Sequence, residues 1–282
     1  MCIDYSQTIN KFTYLDAYPL PNIEDVIANV AKYKVFSKID LKSAYHQIPI
    51  QESNKPYTAF EACGHLYQFR RIPFGVTNGV ACFQRTIDSI IKTANLEGVF
   101  PYLDDITVCG LDQQDHDDKL KKFLDVAEHF SLTINTDKSS FALTEINLLG
   151  YHITNGSIKP DPDRLRALLE MPTPHDSASL RRAVGLFAHY SRWIPNFSMK
   201  LNPLISVEQF PLNDVQQTAF EEMKHMISKA SLCSIDPKEP FTVETDASDL
   251  SIAGALTQNG RPIAFYSRTL NDSERKYPII EK

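Results

Sequence analysis

The segment GVFPYLDDITVCG, residues 98–110, places two adjacent aspartates between two apolar runs typical of β-strands. Neighbouring side chains of a strand point to opposite faces, so two aspartates inside one strand could not serve one site. We therefore predict a hairpin with Asp104 and Asp105 at its two-residue tip, where both carboxylates converge. Aspartate also favours turns for conformational reasons alone, so the pair by itself leaves an ordinary turn open.

A third carboxylate, Asp40, ends the run KVFSKID, which is predicted to be another strand. Carboxylates held close together repel one another unless a cation neutralises them, and a hard divalent ion such as Mg²⁺ or Mn²⁺ is the natural ligand. A helix or turn cap is the alternative for Asp40. Three carboxylates near an aromatic residue, Tyr45, and a Pro-Phe-Gly turn suit two-metal phosphoryl transfer.

The composition is that of an ordinary globular protein, with 43% hydrophobic and 23% charged residues in a chain of 282 residues, a length that favours two or three units. No apolar run is long enough to span a membrane and no signal-peptide pattern is present, so the sequence predicts a soluble intracellular protein. The 5 cysteines lack metal-ligand spacing and are expected to be buried free thiols. The net charge of -6 supplies no general basic surface for nucleic acid.

Hydrophobic periodicity predicts a helix in NIEDVIANVAKY and another in DQQDHDDKLKKFLDVAEHF, where His116 is expected on a solvated face. AYHQIPI is predicted to be a short strand. Three further helices are expected in DRLRALLEM, SASLRRAVGLFAHYSRWI and DVQQTAFEEMKHMISKA. Three strands follow in FTVETDA, SIAGALTQ and RPIAFYSR, with a hairpin at Asn259 and Gly260.

Five segments in order, FSKIDLKSAYHQIPI, FRRIPFGVTNGVACFQRTID, YLDD, INLLGYHIT and YSRWIPNFS, resemble the reverse transcriptases of Ty3/gypsy-type LTR retrotransposons, which lie within a Pol polyprotein. The resemblance covers nearly the whole chain. It implies an α+β, right-hand polymerase with partial fingers, a palm with an antiparallel sheet and a helical thumb, followed by the start of an RNase H-like domain. The implied boundaries are 1–160 for fingers and palm, 161–235 for thumb and connection, and 236–282 for the incomplete RNase H-like part.

The resemblance also implies roles for residues of the polymerase site. Asp40, Asp104 and Asp105 match the catalytic carboxylates that hold two Mg²⁺ ions, or Mn²⁺, with the backbone carbonyl of Leu41 facing a metal. Tyr45 matches the residue that stacks under the deoxyribose and blocks a 2′-hydroxyl, with an ordinary core tyrosine as the alternative. The remaining implied positions are Phe74 and Gly75 over the incoming nucleotide and the primer grip Leu148, Leu149, Gly150 and Tyr151.

Further implied partners are an RNA or DNA template-primer and a dNTP, with no membrane. Arginines of the thumb would follow the nucleic-acid backbone, namely Arg164, Arg166, Arg181, Arg182 and Arg192. Lys138 matches a lysine near the triphosphate or is a solvated surface lysine. Asp246 in FTVETDAS matches the first RNase H carboxylate, and the next RNase H glutamate would lie just beyond Lys282, with Glu281 close to that position.

These matches predict an RNA-directed DNA polymerase located in cytoplasmic virus-like particles or the nucleus. By the same resemblance the chain is expected to be truncated at both ends, because the arginine and lysine that hold the triphosphate would precede residue 1. RNase H activity is expected to be absent, since one matched carboxylate does not hold two ions. The alternative is a catalytically impaired retrotransposon remnant that at most binds nucleic acid.

Overall fold

The computed structural model describes residues 3–205, 207–236 and 238–278. The chain divides into two compact units. The first contains the described residues up to Val26 together with Tyr33–Ile146, and the second contains Ile27–Lys32 together with the described residues from Asn147 onward. Helices combine with antiparallel sheets in both units, which confirms the predicted α+β class.

The first unit is built around a four-stranded antiparallel sheet of order β4-β5-β1-β6. Its elements, in chain order, are α1 (Ile9–Phe12), α2 (Ile23–Val30, with one end in each unit), β1 (Val35–Asp40), β2 (Phe60–Ala62), β3 (His65–Tyr67), α3 (Gly79–Thr93), β4 (Val99–Tyr102), β5 (Asp105–Gly110), α4 (Gln113–His129) and β6 (Ser140–Leu143).

The core of the first unit lies between this sheet and the helices α3 and α4. Ile39 of β1 and Ile106 of β5 are fully buried, and Phe83 of α3 and Phe123 of α4 belong to the same hydrophobic cluster. β1 ends at Asp40 and β5 begins at Asp105, because the apolar residues of both strands fill the core while these charged residues reach its rim. The predicted strands at both places are confirmed.

Helix α4 begins at the predicted place because Asp112 caps it, its side chain accepting a hydrogen bond from the Asp115 amide at 2.9 Å. The prediction of a solvated His116 is wrong, because this side chain is fully buried. Its Nε2 atom lies 2.8 Å from Ser37 Oγ and its Nδ1 atom 2.9 Å from Asp117 Oδ1. Gly110 makes this approach possible, since a Cβ atom there would overlap the His116 backbone.

Two further local predictions need correction. AYHQIPI does not form a strand: Ala44–Gln47 is a 3₁₀ helix that follows Ser43, which has a left-handed φ of 50°. The cysteines are not uniformly buried, since Cys109 is buried whereas Cys63 is exposed. Cys2 lies outside the described residues.

The second unit combines a helical region with two small sheets, of orders β10-β9-β8-β7 and β11-β12-β13. Its elements, in chain order, are β7 (Glu145–Leu148, which begins in the first unit), β8 (Tyr151–Thr154), β9 (Ser157–Pro160), α5 (Pro162–Leu169), α6 (Ser177–His189), α7 (Phe197–Ile205), α8 (Asp214–Lys229), β10 (Leu232–Cys233), β11 (Thr242–Ala247), β12 (Ser251–Gln258) and β13 (Arg261–Thr269).

The helical region has a shared apolar core and capped helices. Phe187 of α6 and Phe220 of α8 are fully buried, with ring centroids 5.5 Å apart. Asp176 starts α6 with a capping box, in which its side chain accepts from the Ser179 amide at 2.7 Å. Helices α5, α6 and α8 were predicted, although α6 ends at His189 rather than at Ile194, and α7 was not.

Strands β11, β12 and β13 form at the predicted places and pair in chain order. β12 and β13 meet at Asn259 and Gly260, whose φ values of 51° and 72° are both positive, as a type I′ turn requires. The buried Gln258 ties this sheet to the preceding segment, because its amide donates to the carbonyls of Asp236 and Glu239 at 2.8 Å each.

Candidate active site

The antiparallel pairing of β1 and β5 brings two of the predicted carboxylates face to face. Asp40 and Asp105 are direct partners in the register. Directly opposite residues of an antiparallel pair project from the same face of the sheet, so the two carboxylates share one side. Like charges in this position destabilise the pairing unless something neutralises them. A positive charge, from a side chain or from an ion, is therefore expected at this end of the strand pair.

The hairpin tip differs from the prediction in one respect. Tyr102 and Asp105 form the last pair of β4 and β5, so the two-residue turn consists of Leu103 and Asp104. Asp104 lies at the exposed tip, whereas Asp105 is the first residue of β5. The prediction that both aspartates occupy the tip is thus wrong, because the turn begins one residue earlier.

The turn itself is strained. Leu103 has a φ of 54°, while Asp104 is not among the residues with positive φ. A positive φ at the first central position alone is the pattern of a type II′ turn, which normally has glycine there. A branched residue in this conformation costs about 1–3 kcal/mol and persists only where the surroundings hold it.

Neighbouring side chains already contact two of the three carboxylates. Lys38 Nζ lies 3.2 Å from Asp105 Oδ2. The Asn135 side-chain amide donates to Asp40 Oδ1 at 3.1 Å, and the Asn135 backbone amide donates to the Asp40 carbonyl at 2.8 Å. Within the described part of the chain, no hydrogen bond or ion pair engages the carboxylate of Asp104. Asp104 is therefore the carboxylate most open to an added ligand.

The donor set fits a hard divalent cation by chemistry, since it consists of carboxylate oxygens and a backbone carbonyl. Leu41 forms an isolated β-bridge with Ile134. The two backbone hydrogen bonds of this bridge use the Asp40 carbonyl and the Lys42 amide, so neither of them engages the Leu41 carbonyl. Over residues 3–205, 207–236 and 238–278, however, no three His, Cys, Asp or Glu side chains are grouped tightly enough to hold an ion. The three aspartates are adjacent but not gathered into one cluster.

Tyr45 lies beside the hairpin tip. Its half-buried ring is 5.3 Å from the rings of both Phe74 and Phe83. Burial raises the pKa of the Tyr45 hydroxyl above its usual value, and the charge of Asp104 raises the pKa further.

Phe74 and Gly75 form a turn next to this tyrosine. Phe74 is 43% exposed, so one side of its ring is open while an edge contacts Tyr45. Gly75 has a φ of 88°, and a Cβ atom there would lie 3.3 Å from the Ile3 carbonyl oxygen. Both facts favour glycine at this position.

Two residues that sequence reasoning missed support these groups. Asn10 donates to the Gly75 carbonyl at 2.7 Å and accepts from the Thr77 amide at 2.9 Å, which fixes the turn on both sides. Gln84, fully buried on α3, accepts from the Leu103 amide at 2.8 Å. The one available signal for Gln84 was a polar residue among the apolar positions of a helix.

The predicted primer-grip residues form the hairpin between β7 and β8. Leu148 is buried, and Leu149 and Gly150 have φ values of 52° and 88° at the turn. A Cβ atom on Gly150 would overlap the Arg164 guanidinium. The Tyr151 ring is stacked with that of Trp193, with centroids 5.8 Å apart. The hairpin is thus held by aromatic and glycine contacts within the second unit.

The remaining predicted positions are on surfaces. Asp246 lies exposed on β11, paired with Ala253, and Lys138 is exposed in the turn after Asn135. The thumb arginines are exposed except for the half-buried Arg192; the exposed ones are Arg164, Arg166, Arg181 and Arg182. Glu281 and Lys282 lie outside the described residues.

Comparison with known proteins decides the family. Residues 2–153 match the family described as reverse transcriptase (RNA-dependent DNA polymerase). The chain belongs to the reverse transcriptase family. Residues 212–282 match the RNase H-like domain found in reverse transcriptase.

Relatives of this reverse transcriptase are the Pol polyproteins of Ty3/gypsy-type transposons, as predicted. It is 34% identical to the retrovirus-related Pol polyprotein from transposon 297 of Drosophila melanogaster, over 99% of the chain and 27% of the relative. It is 33% identical to that from transposon opus of the same species, over 100% of the chain and 30% of the relative. The chain therefore spans less than a third of the length of these relatives.

Solved structures show the same fold. The foamy viral protease-reverse transcriptase in complex with double-stranded DNA matches 100% of the chain and 51% of its own chain, with 25% identity and a TM-score of 0.88. The foamy viral protease-reverse transcriptase in complex with an RNA/DNA hybrid matches 98% of the chain and 39% of its own, with 24% identity and a TM-score of 0.80. The predicted polymerase fold, followed by the start of an RNase H-like domain, is confirmed.

Proposed function

We propose that this reverse transcriptase is an RNA-directed DNA polymerase, in which a primer 3′-hydroxyl attacks the α-phosphate of a dNTP and pyrophosphate leaves. The observation that supports this most strongly is the placement of Asp40 opposite Asp105, with Asp104 open at the adjoining strained turn. A phosphoryl-transfer site needs such a concentration of oxygen donors at a fixed position.

The proposed cofactor is a pair of Mg²⁺ ions, with Mn²⁺ as a substitute, held by Asp40, Asp104, Asp105 and the Leu41 carbonyl. Such ions, when bound, would favour ionisation of the 3′-hydroxyl and neutralise charge on the triphosphate. The Lys38 ion pair engages Asp105 Oδ2, so in this arrangement Asp105 Oδ1 is the oxygen open to an ion.

The chain's own residues would then bind and orient the substrates. The open side of Phe74 and the close backbone of Gly75 offer a flat surface for the dNTP, next to Tyr45. A rigid tyrosine ring at the sugar would exclude a 2′-hydroxyl by its volume. We assign the hairpin of Leu148–Tyr151 to the primer end, with the boundaries 1–160, 161–235 and 236–282 kept as the proposed domains.

A template-primer is the proposed nucleic-acid partner. It is supported by the foamy viral relatives, whose structures contain double-stranded DNA or an RNA/DNA hybrid. The exposed arginines of α5 and α6 offer phosphate contacts that carry no sequence information. No helix in the described ranges is long and apolar enough to cross a membrane. Cytoplasmic particles or the nucleus remain the proposed location.

RNase H cleavage is not part of the proposal. Asp246 is exposed on its sheet, and one matched carboxylate does not hold two ions. We expect a polypeptide of these 282 residues to leave the RNA strand of a hybrid intact.

A nucleic-acid-binding protein without catalysis is the second candidate. It is favoured by the Lys38–Asp105 ion pair and by the ungrouped carboxylates, which describe a site not assembled for an ion. Binding of template-primer would then survive while nucleotide addition would not.

Primer extension separates the two candidates. A 5′-labelled DNA primer on an RNA template is incubated with dNTPs and Mg²⁺, using the wild type and Asp104→Asn. Asp104 is a suitable site for the control because its carboxylate has no hydrogen bond or ion pair to other described side chains, so the fold is expected to be unaffected. Extension by the wild type at a rate at least about a hundredfold above Asp104→Asn supports the polymerase. Equal background from both, with unchanged template-primer binding by anisotropy, supports the second candidate.

A further inference from the structure

A partly buried series of hydrogen bonds connects the amino-terminal segment to the aspartate hairpin. The Tyr18 hydroxyl donates to Asp88 Oδ2 at 2.7 Å, and Gln84 Nε2 donates to Asp88 Oδ1 at 2.9 Å. Gln84 Oε1 in turn accepts the Leu103 amide at 2.8 Å. Gln84 is 0% exposed, whereas Asp88 and Tyr18 are partly buried. Every member lies in the first unit.

These hydrogen bonds determine which way the Gln84 amide faces. An ionised Asp88 only accepts hydrogen bonds, so the amide nitrogen of Gln84 must point to it. The amide oxygen is then directed at the Leu103 N–H, which needs an acceptor. Tyr18 occupies the other Asp88 oxygen, and this leaves the carboxylate fixed between the two donors.

Gln84 Oε1 accepts its hydrogen bond from the strained residue of the hairpin. Leu103, with its φ of 54°, is the first central residue of the turn, and Asp104 is the second. Strain of this kind relaxes unless neighbouring contacts prevent it. The Leu103–Gln84 hydrogen bond comes from α3, outside the β4–β5 ladder, so the helix sets where the tip lies relative to the sheet.

We propose that Gln84 is a positioning residue, which holds the Leu103–Asp104 turn so that the Asp104 carboxylate faces the reacting groups. The proposal rests on the polymerase function proposed above, since it concerns the same site. Phe83, the preceding residue of α3, contacts the Tyr45 ring. One turn of α3 thus supports both the hairpin tip and the residue assigned to the sugar.

A matched pair of variants isolates the Leu103 hydrogen bond. Gln84→Met has nearly the size of glutamine but no acceptor for the Leu103 amide. Gln84→Glu keeps an oxygen at the same distance along the side chain, at the cost of a second carboxyl group beside Asp88. Burying that group costs more stability than burying a thioether, so Gln84→Glu should be the less stable of the two. If Gln84 has a purely structural role, kcat should fall further in Gln84→Glu. If Gln84 is a positioning residue, kcat should fall further in Gln84→Met.

The experiment measures kcat and the dNTP KM on an RNA template, with unfolding temperatures and amide hydrogen exchange of Leu103 in parallel. We expect Gln84→Met to lower kcat about tenfold or more with KM within about twofold, and to speed Leu103 exchange about tenfold. Gln84→Glu should keep kcat within about threefold of the wild type despite its lower unfolding temperature.

Three results would overturn the proposal while the wild type extends primers. These are a Gln84→Met kcat within about twofold of the wild type, unchanged Leu103 exchange in that variant, or a kcat order that follows the stability order. A wild type no more active than Asp104→Asn refutes the polymerase function itself, and the positioning role with it. The two failures are therefore distinguished by the wild-type control.

Discussion

Ser37→Ala is expected to destabilise the first unit strongly, although it removes a single oxygen atom. Ser37 lies on the central strand β1 with 0% exposure. Its Oγ atom is 2.8 Å from His116 Nε2 and accepts the Ala142 amide at 3.1 Å. It thereby connects β1 with both α4 and β6.

The magnitude follows from the groups left behind. Alanine at position 37 leaves the buried imidazole nitrogen of His116 without its partner, which costs about 1–3 kcal/mol. The Ala142 amide belongs to an exposed residue, so its lost hydrogen bond costs only about 0.5–1.5 kcal/mol. The expected loss of unfolding free energy is therefore about 1.5–4.5 kcal/mol. A typical domain has an unfolding free energy of about 5–15 kcal/mol, so this loss would remove a large share of the stability of the first unit.

Thr107→Val is the matched control, on the neighbouring strand β5. Thr107 is 1% exposed, and in the described part of the chain its Oγ1 atom has no hydrogen-bond partner. Valine has the same shape and removes the unsatisfied hydroxyl, so we expect a gain of about 1 kcal/mol. The two substitutions, in neighbouring strands of one sheet, should therefore change the unfolding free energy in opposite directions.

Native-state hydrogen exchange of the β5 amides is the suitable assay. The protein has 1 tryptophan, and this residue, Trp193, lies in the second unit, so its fluorescence serves as an internal control. Exchange should be at least about tenfold faster in Ser37→Ala and about fivefold slower in Thr107→Val. A change below about 0.5 kcal/mol in Ser37→Ala, or a destabilised Thr107→Val, would refute this account of the buried network.

The other predictions concern three separate places. Gly110→Ala should destabilise the first unit by about 3 kcal/mol or more in urea unfolding, because its methyl group overlaps the His116 backbone; a loss below about 1 kcal/mol contradicts this. Tyr45→Val should raise incorporation of rNTP relative to dNTP by about tenfold or more in single-nucleotide kinetics, and an unchanged ratio removes Tyr45 from sugar selection. Hydrogen bonds from the Ser179 side chain and backbone lower the pKa of Asp176, so its stabilisation of α6 is present above pH 3.8 and lost as the pH falls through the lowered value. Asp176→Asn should lack that acid-side loss in amide exchange from pH 5 to 2, and an identical pH profile would be evidence against the cap.

Elements governed by local chemistry were predictable from the sequence. Strand β12 and the turn at Asn259 and Gly260 were placed correctly, because alternation and an Asn-Gly pair act over a few residues. Helix α4 was equally clear from its cap and apolar face. The segment at Tyr45 was not, because the left-handed Ser43 and the ring contacts with Phe74 and Phe83 form a 3₁₀ turn where the alternation favours a strand.

The resemblance proposed which residues form the candidate site, but not their geometry. The resemblance supplied Asp40, Asp104 and Asp105, yet the register that sets Asp40 opposite Asp105 depends on pairing between strands about 65 positions apart. The Lys38–Asp105 ion pair follows from the same register. Burial of His116 likewise depends on a close approach to Gly110, which no local pattern indicates.

The proposed support of the aspartate hairpin by α3 was also invisible in the sequence. Gln84 follows Phe83 in a helix that reads as amphipathic, and a glutamine on such a helix is ordinarily solvated. Only the approach of β4 to α3 shows that its oxygen meets the Leu103 amide. The place of Gln84 among the apolar positions of α3 shows that it faces the core, but not which group it meets.

The central claim is that Asp104 is a metal ligand for nucleotide addition. Asp104→Cys tests it, because a thiolate binds Mg²⁺ poorly and softer ions such as Mn²⁺ or Cd²⁺ better. Single-turnover addition of one dNTP to an RNA-templated primer should be lost in Mg²⁺ for this variant and recover at least about tenfold in Mn²⁺ or Cd²⁺, while Asp104→Ala stays inactive in every ion. Wild-type rates for Asp104→Cys in Mg²⁺, or equal inactivity of both variants in all ions beside an active wild type, would contradict the claim.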